Sequence, residues 1–299
     1  MEHISFEDQI TRNKIKSIVL IGIIFVFFVV LGYVVAQLFD PSYFFGIMMI
    51  SIVVSTGYLI FSYYNSAWIA LVSVRAKPAS QTQHRMLLHA VENMSIASGL
   101  PMPGVYVMES REINAFASGR NPKKAVICVT TGALEKLNKQ ELEGVIGHEM
   151  SHIANFDIRF MTLTAVMIGM ISIVSELFLR SLWFKHDSDR DGRAQIVLLV
   201  IGILFAILAP IAARLVSLAI SRKREYLADA TGVKFTRHPR GLADALRKIK
   251  NEHISHDDLK NFNHAVAPLF ISDPFKKKIS GLFSTHPPVD ERIRRIEAM

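Results

Sequence analysis

Apolar residues are concentrated in four long segments of the chain, which polar stretches separate. The segments cover residues 18–36, 43–64, 160–183 and 196–220. A helix rises about 1.5 Å per residue, so each segment is long enough to cross the roughly 30 Å of hydrocarbon in a bilayer. The pattern therefore predicts four transmembrane helices, arranged as two hairpins on either side of a polar region.

The first segment has an alternative interpretation, a cleaved signal peptide with Val34, Val35 and Ala36 as a weak cleavage site. Signal peptides have apolar cores of about 7–15 residues. This segment is longer, and a second apolar segment follows within a few residues. A retained signal anchor is therefore the favoured interpretation.

The later two segments are less regular because they carry charged residues. Glu176 and Arg180 are four residues apart, so they can pair on one face of a helix near the far interface of the membrane. Arg214 lies within the fourth segment. The alternative is that these side chains line a path for substrate.

The distribution of Lys and Arg around the segments predicts their orientation, because short cytoplasmic flanks carry the excess of positive charge. The loop between the first two segments has neither residue. The basic flanks contain Arg12, Lys14 and Lys16 before the first segment, Arg75, Lys77 and Arg85 after the second, and Arg222, Lys223 and Arg224 after the fourth. We therefore expect both termini and the polar regions in the cytoplasm. The single cysteine, Cys128, agrees with a reducing compartment.

The formal net charge of +8 raises the question of a nucleic-acid partner. The basic residues flank the apolar segments or are scattered, without an aromatic-interleaved patch or a nucleic-acid-binding motif. Anionic lipid headgroups are the expected counter-charge. The sequence thus predicts the lipid bilayer as a partner, and no nucleic acid.

The polar region after the second segment contains a predicted helix and predicted strands. The spacing of apolar residues predicts a helix over 81–98, which Gly99 and Pro101 end. β-branched residues favour strands over 105–108 and 125–130. We expect these strands to form a short antiparallel sheet.

A candidate metal site follows, in a helix-compatible stretch that contains His148, Glu149 and His152. On a helix, the two histidines lie on the same face and can bind one metal ion. Zinc suits such nitrogen ligands and keeps one position for water when it is catalytic. Glu149 lies about 100° round the helix, where it can act as the general base on that water. The alternative is a surface helix that carries two histidines and a carboxylate.

Two carboxylates after the fourth segment, Glu225 and Asp229, are also four residues apart on a predicted helix. A carboxylate is a natural third ligand for zinc, and a second one can accept a hydrogen bond from a ligand imidazole and fix its tautomer. The alternative is a solvated charged face shared with Arg222 and Arg224.

The candidate ligands lie close to the apolar segments. His152 precedes the third segment by about eight residues, and Glu225 follows the fourth by about five. At about 1.5 Å per residue, the metal would lie only about 8–12 Å from the hydrocarbon edge. We therefore expect a site at the membrane surface. An intramembrane protease is disfavoured, because the stretch around His148 is too polar for the bilayer interior.

Two weaker candidates concern the substrate. A peptide could bind in extended form along the stretch from Asn114 to Gly119 by adding a strand to an exposed sheet edge. The substrate-binding candidates are Asn114, Ala115, Phe116 and Ala117. His286 precedes two prolines, which would hold its side chain in one direction. The alternatives are an ordinary edge strand and a solvated loop histidine.

Taken together, these motifs resemble the HtpX-type heat-shock membrane metalloproteases, which are relatives of the CAAX prenyl endopeptidases. The resemblance covers nearly the whole chain and rests on four separated motifs in the same order. They are Asn114–Gly119, His148–His152 with Asn155 and Asp157, Ser221–Arg222 with Glu225–Asp229, and Leu282–Pro288 with Arg292.

The resemblance implies one zinc ion per chain, with His148, His152 and Glu225 as ligands and Glu149 as the general base. It also implies that Asp229 does not bind the zinc ion itself but contacts one of the side chains that do. The expected fold is a mainly α integral membrane protein with four transmembrane helices and a small α+β zincin domain of the gluzincin kind. The expected parts are residues 1–68 and 160–220 for the membrane hairpins, and 69–159 and 221–299 for the catalytic domain.

The resemblance also implies a zinc metalloendopeptidase in the inner membrane, with a cytoplasmic active site and with Asn114 and His286 near the substrate or its oxyanion. The expected partners are unfolded or membrane protein substrates, degraded during stress, with a possible overlap with other membrane proteases. A non-enzymatic alternative is a membrane scaffold or metal-binding regulator whose histidines serve structure. Zinc-dependent cleavage of unfolded β-casein separates the two.

Overall fold

The computed structural model describes residues 6–36, 41–165, 222–252, 269–271 and 287–299, and these residues are mainly helical. The helices are α1 (Phe6–Ala36), α2 (Phe44–Tyr64), α3 (Ser66–Ser73), α4 (Arg85–Ser98), α5 (Thr131–Lys136), α6 (Lys139–Ala154), α7 (157–165), α8 (Arg222–Thr236), α9 (Pro239–Asn251) and α10 (Val289–Glu297). The strands are β1 (Lys77–Pro78), β2 (Gly104–Met108), β3 (Ala115–Gly119) and β4 (Ala125–Thr130). The prediction of a mainly α chain is confirmed.

Helices α1 and α2 form a hairpin whose exposed surface is apolar. In α2, Ser55 and Ser62 are buried, whereas Phe45 is 80% exposed and Val53 is 64% exposed. The Ser51 hydroxyl donates a hydrogen bond to the Phe28 carbonyl of α1. A water-soluble protein buries its large apolar residues, whereas membrane helices pack through small and hydroxyl-bearing ones. The hairpin therefore has the pattern of a membrane protein.

The structure describes the first two of the four predicted spans but almost none of the last two. Residues Pro41–Tyr64 form a helical segment of 24 residues with a mean hydropathy of 2.1, and this is the one helix within the described ranges that is long and apolar enough to cross a bilayer. The first predicted span lies in α1, which has a shorter apolar stretch, Ser17–Val30. The third and fourth spans lie outside the described residues, apart from 160–165. They remain predictions.

The small sheet is mixed, so the prediction of an antiparallel sheet was wrong in one pairing. Its strand order is β1-β2-β4-β3. β4 pairs with β3 antiparallel and with β2 parallel. The reason is that β3 and β4 form a hairpin, and β4, whose side chains are all buried, takes the central position beside β2. Gly119 has φ +143° at the start of the hairpin turn, a backbone conformation that residues other than glycine rarely adopt.

Successive residues of the sheet face two different layers of helices, as the alternation of side chains along a strand requires. Ala115 and Ile127 belong to the core that the sheet forms with α4, α6 and α9. Phe116 and Cys128 face the other way and pack with α3, α7 and Phe270. Strand β3 thus lies directly against α6, the helix that carries the candidate metal ligands.

Helix α6 lies at the centre of the polar domain and begins at a capping box. The Asn138 side chain accepts a hydrogen bond from the Glu141 backbone N–H, and the Glu141 carboxylate accepts one from the Asn138 backbone N–H. Close contact with α8 occurs at two glycines. A Cβ atom on Gly232 of α8 would lie 2.9 Å from the backbone nitrogen of His148. The absence of side chains there brings α8 close enough to share a site with α6.

We expect Gly232→Ala to destabilise the protein by about 1–3 kcal/mol, because the added methyl group overpacks the contact between α8 and α6. The measurement is the thermal unfolding midpoint in detergent. The control is Gly57→Ala in α2, where an added Cβ meets nothing within 4 Å. Equal midpoints for the two variants would contradict the close contact.

Candidate metal centre and active site

Three side chains from two helices converge inside the polar domain. His148 and His152 lie one turn apart in α6, and Glu225 lies in the first turn of α8. The two Nε2 atoms are 3.3 Å apart. The Glu225 carboxylate oxygens lie 3.7 Å from the Nε2 atoms of His148 and His152. All three side chains are buried.

A carboxylate behind each histidine fixes the direction of its ring. The Nδ1 atom of His148 lies 3.0 Å from Asp229 Oδ1, and the Nδ1 atom of His152 lies 3.0 Å from Asp157 Oδ2. A carboxylate is an acceptor, so each Nδ1 atom carries the proton and each Nε2 atom of a neutral ring presents its lone pair. The two lone pairs therefore point into the same space. Only a cation between them, a metal ion or a proton, makes this arrangement favourable.

The donor set suits zinc. Two nitrogens at about 2.0–2.1 Å from a tetrahedral ion are about 3.3 Å apart, which agrees with the 3.3 Å between the histidine Nε2 atoms. The distances of 3.7 Å to Glu225 are a few tenths of an ångström longer than that geometry requires. Two imidazoles and one carboxylate leave the fourth position of such an ion for water or substrate.

Glu149 lies in the same buried cluster, beside the sheet. Burial raises the pKa of Glu149 to about 7, and Glu225 adds to this effect. His152 and a hydrogen bond from the Ala117 backbone N–H lower the pKa. A carboxylate that titrates near neutral pH is suited to take up and release a proton during a reaction.

Arg292 is fully buried in this cluster, and the sequence reasoning gave it no role. Its Nε and Nη2 atoms donate hydrogen bonds of 2.9 and 2.7 Å to the two oxygens of Asp229. Burial acts to raise the pKa of Asp229, but Arg292 and His148 outweigh it and hold the pKa below its usual value. Arg292 therefore keeps Asp229 ionised as the acceptor for His148.

Asp157 and Arg224 were also missed as site residues. Asp157 Oδ1 lies 3.0 Å from Arg224 Nε, so the carboxylate behind His152 has an arginine partner too. No local pattern points to this pair, because the two residues lie on opposite sides of the stretch 166–221. Asp157 was recognised only as part of a family motif.

The predicted peptide-binding edge is partly covered. β3 is an edge strand, yet all its residues are buried. The Ala115 carbonyl accepts a hydrogen bond from the Ile271 N–H, and the Asn114 side chain accepts one from the Ala115 N–H. Phe116 packs edge-on against Phe270. A peptide that adds a strand here has to displace the segment 269–271, at least at Ala115.

The structure thus brings together five of the predicted site residues: His148, Glu149, His152, Glu225 and Asp229. It also places Ala117 beside Glu149, at the strand predicted to bind substrate. His286 lies outside the described residues, so its role stays a prediction. It precedes α10, the helix that brings Arg292 into the cluster.

Comparison with known proteins identifies the family. The model of peptidase family M48 matches residues 81–299. A protease HtpX homolog of Caldanaerobacter subterraneus subsp. tengcongensis is 46% identical over 242 residues, which are 80% of each chain. The chain belongs to peptidase family M48. This M48 peptidase is similar over its entire length to the protease HtpX homolog of Dictyoglomus thermophilum, with 39% identity over 299 residues, or 96% of that relative.

The resemblance inferred from the motifs is therefore confirmed, and the chain is a membrane metalloprotease of the HtpX type. Among solved structures, the crystal structure of S. mikatae Ste24p matches with a TM-score of 0.48 and 19% identity. The match covers 96% of this chain and 65% of that one. The family is shown by the match to the M48 family model and by the sequence relatives.

We expect Glu225→Ala to lower the zinc content of the purified protein, because two imidazoles alone leave the ion without its carboxylate ligand. The measurement is bound zinc per chain. The control is Glu92→Ala, which removes an exposed carboxylate from α4. Stoichiometric zinc in Glu225→Ala would remove Glu225 from the ligand set.

The affinity for zinc should rise with pH. Although burial lowers the pKa of His152, Asp157 and Glu225 outweigh it and raise the pKa to about 9 without a metal ion. Below that pH, zinc has to displace the proton from His152. The apparent affinity should therefore increase by up to about tenfold per pH unit between pH 7 and 9 and then level off. Chelator competition at each pH measures this, and a flat profile would contradict it.

Proposed function

We propose that this chain is a zinc-dependent endopeptidase that cleaves misfolded or damaged membrane proteins at the cytoplasmic face of the inner membrane. The observation that carries the proposal is a buried carboxyl group, Glu149, beside three converging side chains that can hold a metal ion and next to an edge strand. A carboxyl group with a pKa near 7 beside a metal ion is suited to accept a proton from a metal-bound water.

Each side chain has a distinct part in the proposed reaction. His148, His152 and Glu225 would hold the zinc ion. When bound, zinc supplies Lewis-acid chemistry at the scissile carbonyl and lowers the pKa of the attacking water. Glu149 takes the proton of that water and passes it to the leaving amine.

The remaining predicted residues would handle the substrate. The peptide would lie extended along β3, where Ala117 already donates a hydrogen bond towards the cluster. Asn114 lies at the start of that strand, and its side chain caps the Ala115 N–H. His286 is the proposed donor to the oxyanion that develops on the carbonyl.

Contacts between α2 and the polar domain support a location at the membrane surface. Arg159 of α7 donates a hydrogen bond to the Tyr63 hydroxyl at the end of α2, and its guanidinium group lies 5.3 Å from the ring centre. Arg120 lies 4.4 Å from the ring centre of Tyr64. Tyrosine and arginine are typical residues of a membrane interface. The proposed site would therefore lie close to the bilayer, where it could reach membrane protein substrates.

The proposed orientation follows from the basic flanks, which place both termini and the active site in the cytoplasm. The proposed role is quality control during stress, with some overlap with other membrane proteases. The proposed partners are unfolded or membrane protein substrates and the lipid bilayer.

We expect Glu149→Gln to retain zinc and to reduce β-casein cleavage by about 100-fold or more, because the amide fills the same space but cannot take the proton. The measurement is cleavage by detergent-purified protein, together with bound zinc per chain. The control is Glu143→Gln, the same change on the outer side of α6, where the Glu143 carboxylate accepts a hydrogen bond from the Asn93 side chain.

Full cleavage by Glu149→Gln would remove Glu149 as the base. A wild-type protein without bound zinc would favour the non-enzymatic alternative, a membrane scaffold. Zinc in both proteins with cleavage only by the wild type and the control would support the metal site and the base together.

A further inference from the structure

The turn between α6 and α7 brings Asp157 to His152. Five residues further along a continuous helix, a side chain would lie about 140° away from His152 on the helix surface. Helix α6 instead ends at Ala154, and Phe156 adopts a left-handed conformation with φ +58°. This conformation is uncommon outside glycine. The turn redirects the chain so that the Asp157 carboxylate lies behind the His152 ring.

Among the described residues, the buried Asp157 carboxylate contacts His152 with one oxygen and Arg224 with the other. Oδ2 lies 3.0 Å from His152 Nδ1, and Oδ1 lies 3.0 Å from Arg224 Nε. Asp157 is 1% exposed and Arg224 is 7% exposed. A buried carboxylate is costly without a compensating cation. Arg224 supplies that cation, and its contact fixes the direction of the Asp157 carboxylate.

Arg224 also contacts a neighbouring helix. Its guanidinium group lies 5.5 Å from the ring centre of Phe160, in α7. Along the chain it directly precedes Glu225, the predicted third ligand. The first turn of α8 thus supplies both a metal ligand and the partner of the carboxylate behind another ligand.

Each of the two histidines contacts an aspartate that in turn contacts an arginine. Behind His148 stand Asp229 and then Arg292, and the His148–Asp229 distance is 3.0 Å. Behind His152 stand Asp157 and then Arg224, with the same 3.0 Å distance to the histidine. Each ring thus ends a chain of arginine, aspartate and histidine. This repetition indicates that Asp157 and Arg224 orient His152 in the same way that Asp229 and Arg292 orient His148.

We propose that Asp157 and Arg224 are positioning residues for the metal centre: Arg224 fixes Asp157, and Asp157 fixes the ring and tautomer of His152. This inference rests on the proposed zinc site. Asp157 precedes residues 166–221 and Arg224 follows them, so the pair also joins the two sides of the predicted second membrane hairpin beside the proposed ligands.

The test is a double-mutant cycle with Asp157→Asn, Arg224→Gln and the double variant in the full-length protein. The readouts are the zinc dissociation constant from chelator competition and the visible spectrum of the Co²⁺-substituted protein. We expect Asp157→Asn to weaken zinc binding by about 10–100-fold, the usual effect of losing a carboxylate behind a ligand histidine. Arg224→Gln alone should weaken binding by about tenfold and shift the Co²⁺ bands.

The double variant decides the question. If Arg224 acts through Asp157, Arg224→Gln should change zinc affinity by less than about twofold once Asp157 is already Asn, because interacting residues are non-additive. Independent, multiplying effects would overturn the proposal, as would single variants with wild-type affinity. The control is Arg247→Gln, which removes an exposed arginine paired with Asp244 and Glu297 and should leave zinc affinity unchanged.

Folding is monitored separately by the unfolding midpoint of the metal-stripped proteins. A lower midpoint with wild-type zinc affinity and Co²⁺ spectrum would show a structural role only and would overturn the proposal. If Arg224→Gln does not fold, Arg224→Lys replaces it, since a lysine keeps the cation and should retain part of the affinity. Absence of zinc binding by the wild type would instead contradict the proposed function, so the two failures are distinguishable.

Discussion

The compensation of buried charge is the constraint on which the rest of this structure depends. The buried cluster contains four carboxylates and two arginines: Glu149, Asp157, Glu225, Asp229, Arg224 and Arg292. With neutral histidines, this set has two excess negative charges, which the protein interior tolerates only if they are neutralised. A divalent metal ion supplies both positive charges at once. In the absence of the metal ion, two protons can neutralise the cluster. The groups that would carry these protons are the two with raised pKa values, Glu149 with a pKa of about 7 and His152 with a pKa of about 9. Metal binding and proton release are therefore coupled by the composition of the core.

This compensation requires close approach of helices that are far apart in sequence. Glycine contacts between α6 and α8 allow the Glu225 carboxylate to reach the histidines, and α10 inserts Arg292 from the other side. The sheet closes the remaining side through β3, whose Ala117 N–H contacts Glu149. The hairpin of α1 and α2 has a different distribution, with serines buried and large apolar side chains exposed. One chain thus combines a charged interior in the polar domain with an apolar exterior in the membrane part, and the Tyr63–Arg159 contact lies where they meet.

Much of this arrangement could be predicted from the sequence because it depends on local periodicity. The spacing of four residues identified both the histidine pair and the pair Glu225 and Asp229, and hydropathy identified α2. The sequence could not reveal Asp157 as the partner of His152, since that contact depends on a break in the helix at Phe156. It could not reveal the contact between Arg292 and Asp229 either, because the two residues lie on separate helices. The prediction of an antiparallel sheet was wrong in one pairing for a similar reason: the parallel contact between β2 and β4 depends on the tertiary fold, which places β4 between β2 and β3.

The distribution of the ligands along the chain also bears on biosynthesis. His148 and His152 leave the ribosome before residues 166–221, and Glu225 and Arg292 leave it after them. A nascent chain that has not yet placed α8 against α6 has two imidazoles but neither the proposed third ligand nor the arginine that compensates Asp229. The hydrolytic centre therefore cannot form until the predicted second hairpin has been made and both sides of it have folded together. Until then the chain lacks part of the cluster proposed to cleave peptides, so we expect it to be inactive during its own insertion.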